Sequence, residues 1–158
     1  MTIARAPLSV TADPKSKTYG AVDPAFTASY VEFVNNETPS VLGGTLAFSR
    51  APGEGVGNYL ISPSGLTGAN YSISFNTGKF TITAPAPTIL SLTGASTANA
   101  LITWSSVSNG TYRAQFKSDL NTTNWTDLAG DVTASGNTAS KTDTGTGTNR
   151  FYRVQVVP

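Results

Sequence analysis

Ala69-Asn70-Tyr71-Ser72-Ile73-Ser74-Phe75-Asn76-Thr77-Gly78-Lys79-Phe80-Thr81-Ile82-Thr83-Ala84 decides the fold class. Tyr71, Ile73 and Phe75, then Phe80 and Ile82, recur at every second position, which is the period of a strand with one buried face. Asn76-Thr77-Gly78 between them is turn chemistry, with a glycine able to take the left-handed conformation of a three-residue hairpin loop. The spacing therefore predicts a β-hairpin over 69–84.

The same alternation runs outward in both directions. Upstream it marks Leu8, Val10 and Ala12; Phe26, Ala28 and Tyr30; Leu46 and Phe48; and Tyr59 and Ile61. No window sustains a helical period. Pro14, Pro24, Pro39, Pro52 and Pro63 are read as falling between the runs, where a missing N–H does no damage to a ladder. Ala84-Pro85-Ala86-Pro87 then breaks the pattern, and alternating prolines favour a short stiff polyproline-II segment.

Beyond that segment the alternation restarts with Ile89, Leu90 and Leu92; Ala100, Ile102 and Trp104; Tyr112, Ala114 and Phe116; Trp125 and Leu128; Ala139; and Tyr152, Val154 and Val156. Gly, Asn, Ser and Asp separate these runs at sandwich spacing. The expected fold is all-β: two immunoglobulin-like antiparallel β-sandwich domains in tandem, residues 1–84 and 88–158, joined by a proline linker at 85–87.

Composition removes whole classes of function. The 158 residues include no histidine and no cysteine, so the commonest general base, the thiol nucleophile and the usual zinc ligands are missing. There is no Gly-x-Ser-x-Gly elbow, phosphate loop or dinucleotide fingerprint, and the nine carboxylates show no close pair suited to glycoside hydrolysis. An enzyme is not expected, nor a catalytic residue, nor a cofactor.

No metal site is expected either, because no Asp-x-Asp-x-Asp run would hold calcium. A net charge of +1 with 12% charged residues gives no field to draw nucleic acid. No apolar run approaches the ~20 residues of a membrane span. Met1-Thr2-Ile3-Ala4-Arg5-Ala6-Pro7 lacks the basic and apolar regions of an export signal, so the chain is expected to be part of a longer exported protein. Abundant Thr, Ser, Gly and Asn with scarce Lys and Glu lean the same way.

Lys15-Ser16-Lys17-Thr18-Tyr19-Gly20-Ala21-Val22-Asp23-Pro24 is followed in order by Leu42-Gly43-Gly44, Gly57-Asn58-Tyr59-Leu60-Ile61 and Gly68-Ala69-Asn70-Tyr71-Ser72-Ile73, closing on Phe80-Thr81-Ile82-Thr83. Over residues 8–84 this resembles the bacterial MBG repeat of the YGX type. The resemblance implies an immunoglobulin-like stalk or adhesion module of a large bacterial surface or secreted protein. It implies no catalytic residues.

Residues 88–158 resemble a fibronectin type III domain. Ile102-Thr103-Trp104 matches the second strand with its core tryptophan, Tyr112-Arg113-Ala114-Gln115-Phe116 the third, and Phe151-Tyr152-Arg153-Val154-Gln155-Val156 the sixth with its core tyrosine. Trp125-Thr126-Asp127-Leu128 matches a tryptophan edge strand. The family's seventh strand is missing from the pattern. The outer edge of residues 150–157 is therefore expected to be covered by the N-terminal arm, by the linker, or by another chain through β-addition.

Parity assigns Trp104, Tyr112 and Tyr152 to the core, and it turns Arg113, Gln115, Lys117, Arg153 and Gln155 outward as a cationic polar stripe. Trp125, with Arg113, Lys117 and Arg153, forms the candidate ligand-binding set, for a glycan or a cell-surface partner. In the first half, Gly20 is expected at positive φ, and Asp23 before Pro24, like Asp13 before Pro14, is expected to close a turn onto backbone amides. A self-formed Lys to Asn cross-link would need a buried lysine, and none of Lys15, Lys17 or Lys79 is read as inward.

These readings converge on a non-catalytic spacer, stalk or adhesive module of a bacterial secreted or cell-surface protein, located outside the cell and in contact with its neighbouring domains. The alternatives are a carbohydrate-binding accessory module of a secreted hydrolase and a C-terminal sorting or anchoring domain.

Overall fold

The computed structural model describes residues 4–94, 99–145 and 149–157, so the leader comparison at residues 1–3 and the terminal Pro158 lie outside the described residues. The fold is all-β and sandwich-type. Apart from one 3-10 turn at Pro39–Val41, its regular elements are strands. Two compact units are distinguished: Met1–Glu54 with Asn58–Ile82, and Gly55–Gly57 with Thr83–Pro158.

The first unit is built from β1 (Ala6–Ala12), β2 (Lys15–Thr18), β3 (Ala28–Val31), β4 (Gly43–Arg50), β5 (Gly57–Thr67), β6 (Tyr71–Asn76) and β7 (Gly78–Thr83). One sheet has the order β3-β1-β6 and the other β2-β7-β5-β4. Leu8, Val10 and Tyr71 form one buried cluster, and Ala12, Ile61, Phe80 and Ile82 a second. Phe26 stacks edge-on against Phe80 at 5.7 Å and Phe48 at 6.1 Å, filling the second cluster with aromatic surface.

The hairpin predicted over 69–84 does not form. β6 runs parallel to β1, with Ile73 opposite Leu8, whereas β7 stands between β2 and β5 in the other sheet. The chain crosses between the sheets through Thr77 alone. Gly78 is not among the positive-φ residues; its role is close approach, since a Cβ there would overlap the Ala12 carbonyl oxygen. Alternation placed Tyr71, Ile73, Phe80 and Ile82 on the inward faces, whereas Phe75 at the end of β6 is 39% exposed, and alternation says nothing about which strand is the neighbour.

Pro63 is a second correction. It lies buried within β5, opposite Phe48, rather than between runs. A proline here forgoes one ladder N–H, and its ring is placed in the interior instead.

The second unit contains β8 (Ile89–Thr93), β9 (Ala100–Ser105), β10 (Thr111–Lys117), β11 (Thr126–Asp127), β12 (Val132–Thr133), β13 (Thr138–Asp143) and β14 (Phe151–Val157). One sheet has the order β13-β9-β8. In the other, β14 pairs β10 along its whole length, and the short β11 and β12 share β10's opposite edge. Ile102, Trp104, Tyr112 and Ala114 are buried between the sheets, with the Trp104 and Tyr112 rings 6.2 Å apart. The Tyr112 hydroxyl accepts from the Val107 N–H at 3.0 Å.

Among the described residues β14 has β10 as its one strand partner. Among the described residues β1 pairs β3 and β6, and the segment before β8 is not in a strand.

Candidate functional site

The stripe predicted from parity is assembled on one face of the second unit, and the side chains of Arg113, Gln115, Lys117 and Arg153 are each held by a neighbour. β11 and β14 flank β10, so that Gln115 stands opposite Asp127 on one side and Arg153 on the other. The Gln115 amide donates to Asp127 Oδ1 at 2.5 Å and accepts from Arg153 Nε at 2.7 Å. These two bonds bury it to 7% exposure, a correction to the outward, solvated position expected.

Arg113 makes a two-pronged pair with Asp131, Nε to Oδ1 and Nη2 to Oδ2 both at 2.8 Å, and reaches Asp127 at 3.2 Å. The guanidinium holds the Asp131 carboxyl below the usual carboxylate range, and the carboxylate in turn raises Arg113 further.

Trp125 sits at the end of this chain of contacts. The Lys117 ammonium lies 4.9 Å and the Arg153 guanidinium 4.6 Å from its ring centroid, both within cation–π range. Lys117 also donates to the carbonyls of Leu120 at 3.0 Å and Thr122 at 2.9 Å, which fixes the loop leading to the tryptophan. Trp125, Arg113, Lys117 and Arg153 are thus brought together, as a linked structural network.

The first unit holds a cluster that pattern reading missed. Lys17, whose side chain is only 5% exposed, contacts Asp23 Oδ1 at 2.7 Å and Glu54 Oε2 at 2.5 Å. Arg50 Nε pairs with Asp23 Oδ2 at 2.7 Å, and its Nη2 pairs with Glu54. Beneath them Phe80 lies 6.0 Å from Lys17 and 5.2 Å from Arg50. Bonds from Lys17 and then Arg50 lower Asp23, Lys17 chiefly lowers Glu54, and the hydrogen bonds to Asp23 and then Glu54 raise Lys17.

The expectations for this segment change accordingly. Gly20 has the positive φ foreseen, +82°. Asp23 turns to two cations instead of backbone amides, and Asp13 accepts from the Thr27 and Ser29 hydroxyls at 2.6 Å each, which lowers its pKa. Lys17 is inward after all. Its surroundings stabilise the ammonium, whereas a self-formed amide cross-link needs the neutral amine. The sequence signal that could have revealed the cluster was the pairing of opposite charges a few residues apart, Lys17 with Asp23 and Arg50 with Glu54.

Among the described residues no group of three or more acidic side chains is placed to hold a metal ion, and no helix is long and apolar enough to cross a membrane. Residues 8–81 match the family model of the MBG domain (YGX type). No curated protein and no solved structure matches the chain.

Proposed function

We propose that this chain is a non-catalytic structural and adhesive module, a spacer or stalk segment, of a larger bacterial protein that works outside the cell. The MBG match over residues 8–81 supports a modular repeat of that kind. The observation that carries the reading is the fate of the signature charges: Lys17 and Asp23 are tied to Glu54 and Arg50, bracing the loops around them. Short turns, aromatic cores and ion-pair braces stiffen a cysteine-free sandwich without cross-links. The second unit is read as fibronectin type III-like, from Trp104 and Tyr112 packed at its centre and from the strand order around them.

A glycan array with the whole chain tests the assignment. Silence across the array agrees with a spacer. Specific binding that disappears in Trp125→Ala replaces it with a carbohydrate-binding accessory module that uses the Arg113, Lys117 and Arg153 face.

A further inference from the structure

The first unit carries a basic groove that its own carboxylates do not pair. Lys15 and Ser16 of β2, Lys79 and Thr81 of β7, and the rings of Pro14 and Pro24 line an open cavity of ≈ 440 Å³. β2 and β7 are neighbours in one sheet, so the two lysines come from adjacent strands. Among the described residues neither lysine makes an ion pair, whereas Lys17, Arg50, Arg113 and Arg150 each meet a carboxylate.

The nearest acids in the sequence are turned to other partners. Asp13, next to Pro14, accepts from Thr27 with one carboxylate oxygen and from Ser29 with the other, both at 2.6 Å. Asp23, next to Pro24, is held by Lys17 and Arg50. Two ammonium groups and two hydroxyls therefore share one open surface, a field of one sign that favours an anion from outside the chain.

We propose that this groove binds an acidic polysaccharide, whose carboxylates pair with Lys15 and Lys79 and whose hydroxyls bond the side chains of Ser16 and Thr81. Such binding deepens the adhesive reading above, on which it rests, by giving it a surface. Thr81 donates to Asn58 Oδ1 at 3.0 Å, so its oxygen is left to accept from a sugar hydroxyl, while the exposed Ser16 can donate and accept. An acidic peptide fits less well. A peptide draws its affinity from aromatic or apolar anchors in closed pockets, and apart from the two prolines this groove presents only polar side chains. Addition of a peptide strand along β2 is also opposed by lysine, a residue that keeps sheet edges from pairing. A glycan needs neither a pocket nor a ladder, and an ammonium group, as a point charge with three rotatable donors, accepts a carboxylate from many directions.

Binding of the whole chain to polygalacturonate at low salt tests this, with neutral dextran and poly-L-glutamate as comparisons. Lys15→Gln and Lys79→Gln are each expected to weaken binding roughly 2- to 5-fold, and the double variant roughly 4- to 25-fold, while Lys15→Arg with Lys79→Arg retains it. Added salt should weaken the parent more steeply than the double glutamine variant. Absence of binding, equal binding to neutral dextran, or binding that the double glutamine variant keeps in full overturns the proposal and leaves the spacer reading standing. Poly-L-glutamate bound as tightly as polygalacturonate overturns it in favour of an acidic peptide. Binding lost in Trp125→Ala but kept in the lysine variants overturns it in favour of the second unit's face, and the spacer reading falls with it.

Discussion

The Tyr152 hydroxyl donates to Asp143 Oδ2 at 2.9 Å, closing the last two strands of the second unit onto one carboxylate that is itself only 4% exposed. Arg150 Nη1 reaches the same oxygen at 2.5 Å, and the Gly145 N–H bonds Oδ1 at 2.8 Å. Burial alone would raise Asp143, but these donors outweigh it and leave its pKa lowered; Tyr152 is pushed up to about 12 by burial and then by the carboxylate it faces.

Removing either partner therefore has unequal consequences. Tyr152→Phe is expected to cost about 1 kcal/mol, one net hydrogen bond, whereas Asp143→Ala strands three donors and is expected to cost about 2–3 kcal/mol in denaturant melts. The tyrosine's folded pKa lies above its unfolded value, so its contribution is complete below about pH 10 and is lost as pH rises toward the folded value. Asp143 has the opposite sign, and its contribution is lost in acid. Tyrosinate absorbance that titrates Tyr152 like a free phenol would refute the contact.

Gly78 separates two explanations of one residue. In a left-handed turn asparagine substitutes tolerably for glycine, but where a Cβ would overlap the Ala12 carbonyl any side chain is excluded. Gly78→Ala and Gly78→Asn are both expected to destabilise the first unit by roughly 1–3 kcal/mol, the range of overpacking. A Gly78→Asn protein as stable as the parent would restore the hairpin that the sequence suggests.

That residue also shows what could be read in advance. The period of two placed Tyr71, Ile73, Phe80 and Ile82 inward, because burial of one face imposes alternation wherever the strand lies. Pairing is a non-local property, so the jump from one sheet to the other left no trace in Asn76-Thr77-Gly78. The polar stripe of the second unit divides in the same way. Parity put Arg113, Lys117 and Arg153 on one surface, while their partners Asp127 and Asp131 lie in or beside strands of two residues, too short to carry a period.

The Lys17, Asp23, Arg50 and Glu54 cluster makes a signed prediction about pH. Asp23 and Glu54 have lowered folded values, so their contribution is present above the unfolded carboxylate range near pH 4 and is lost as pH falls through the folded values. Lys17, being raised, contributes fully below its unfolded value near 10.4 and loses that contribution only as pH rises through the folded one. Lys17→Met should lower the melting temperature of the first unit at neutral pH and flatten its acid limb. Asp23→Asn should do the same while leaving Arg50 paired with Glu54. The intact mass should equal that of the sequence, with no loss of water or ammonia, because the ion pairs hold the amine charged.

Whether Trp125 braces its own loop or waits for a ligand can be settled by energetic coupling. If Lys117 truly lies over the ring, as its 4.9 Å distance indicates, Lys117→Met and Trp125→Ala each remove the same interaction, and their effects on stability will not add. A cation–π contact at a partly exposed site gives a coupling of about 0.5–1 kcal/mol in the double-mutant cycle. Lys117→Met should also speed hydrogen exchange in the loop from Asp119 to Asn124, since Lys117 tethers the carbonyls of Leu120 and Thr122. Strict additivity with an unchanged loop would mean that the ring does not carry the lysine. Trp125 would then be an open aromatic surface beside Arg153, which favours a glycan binder over a spacer.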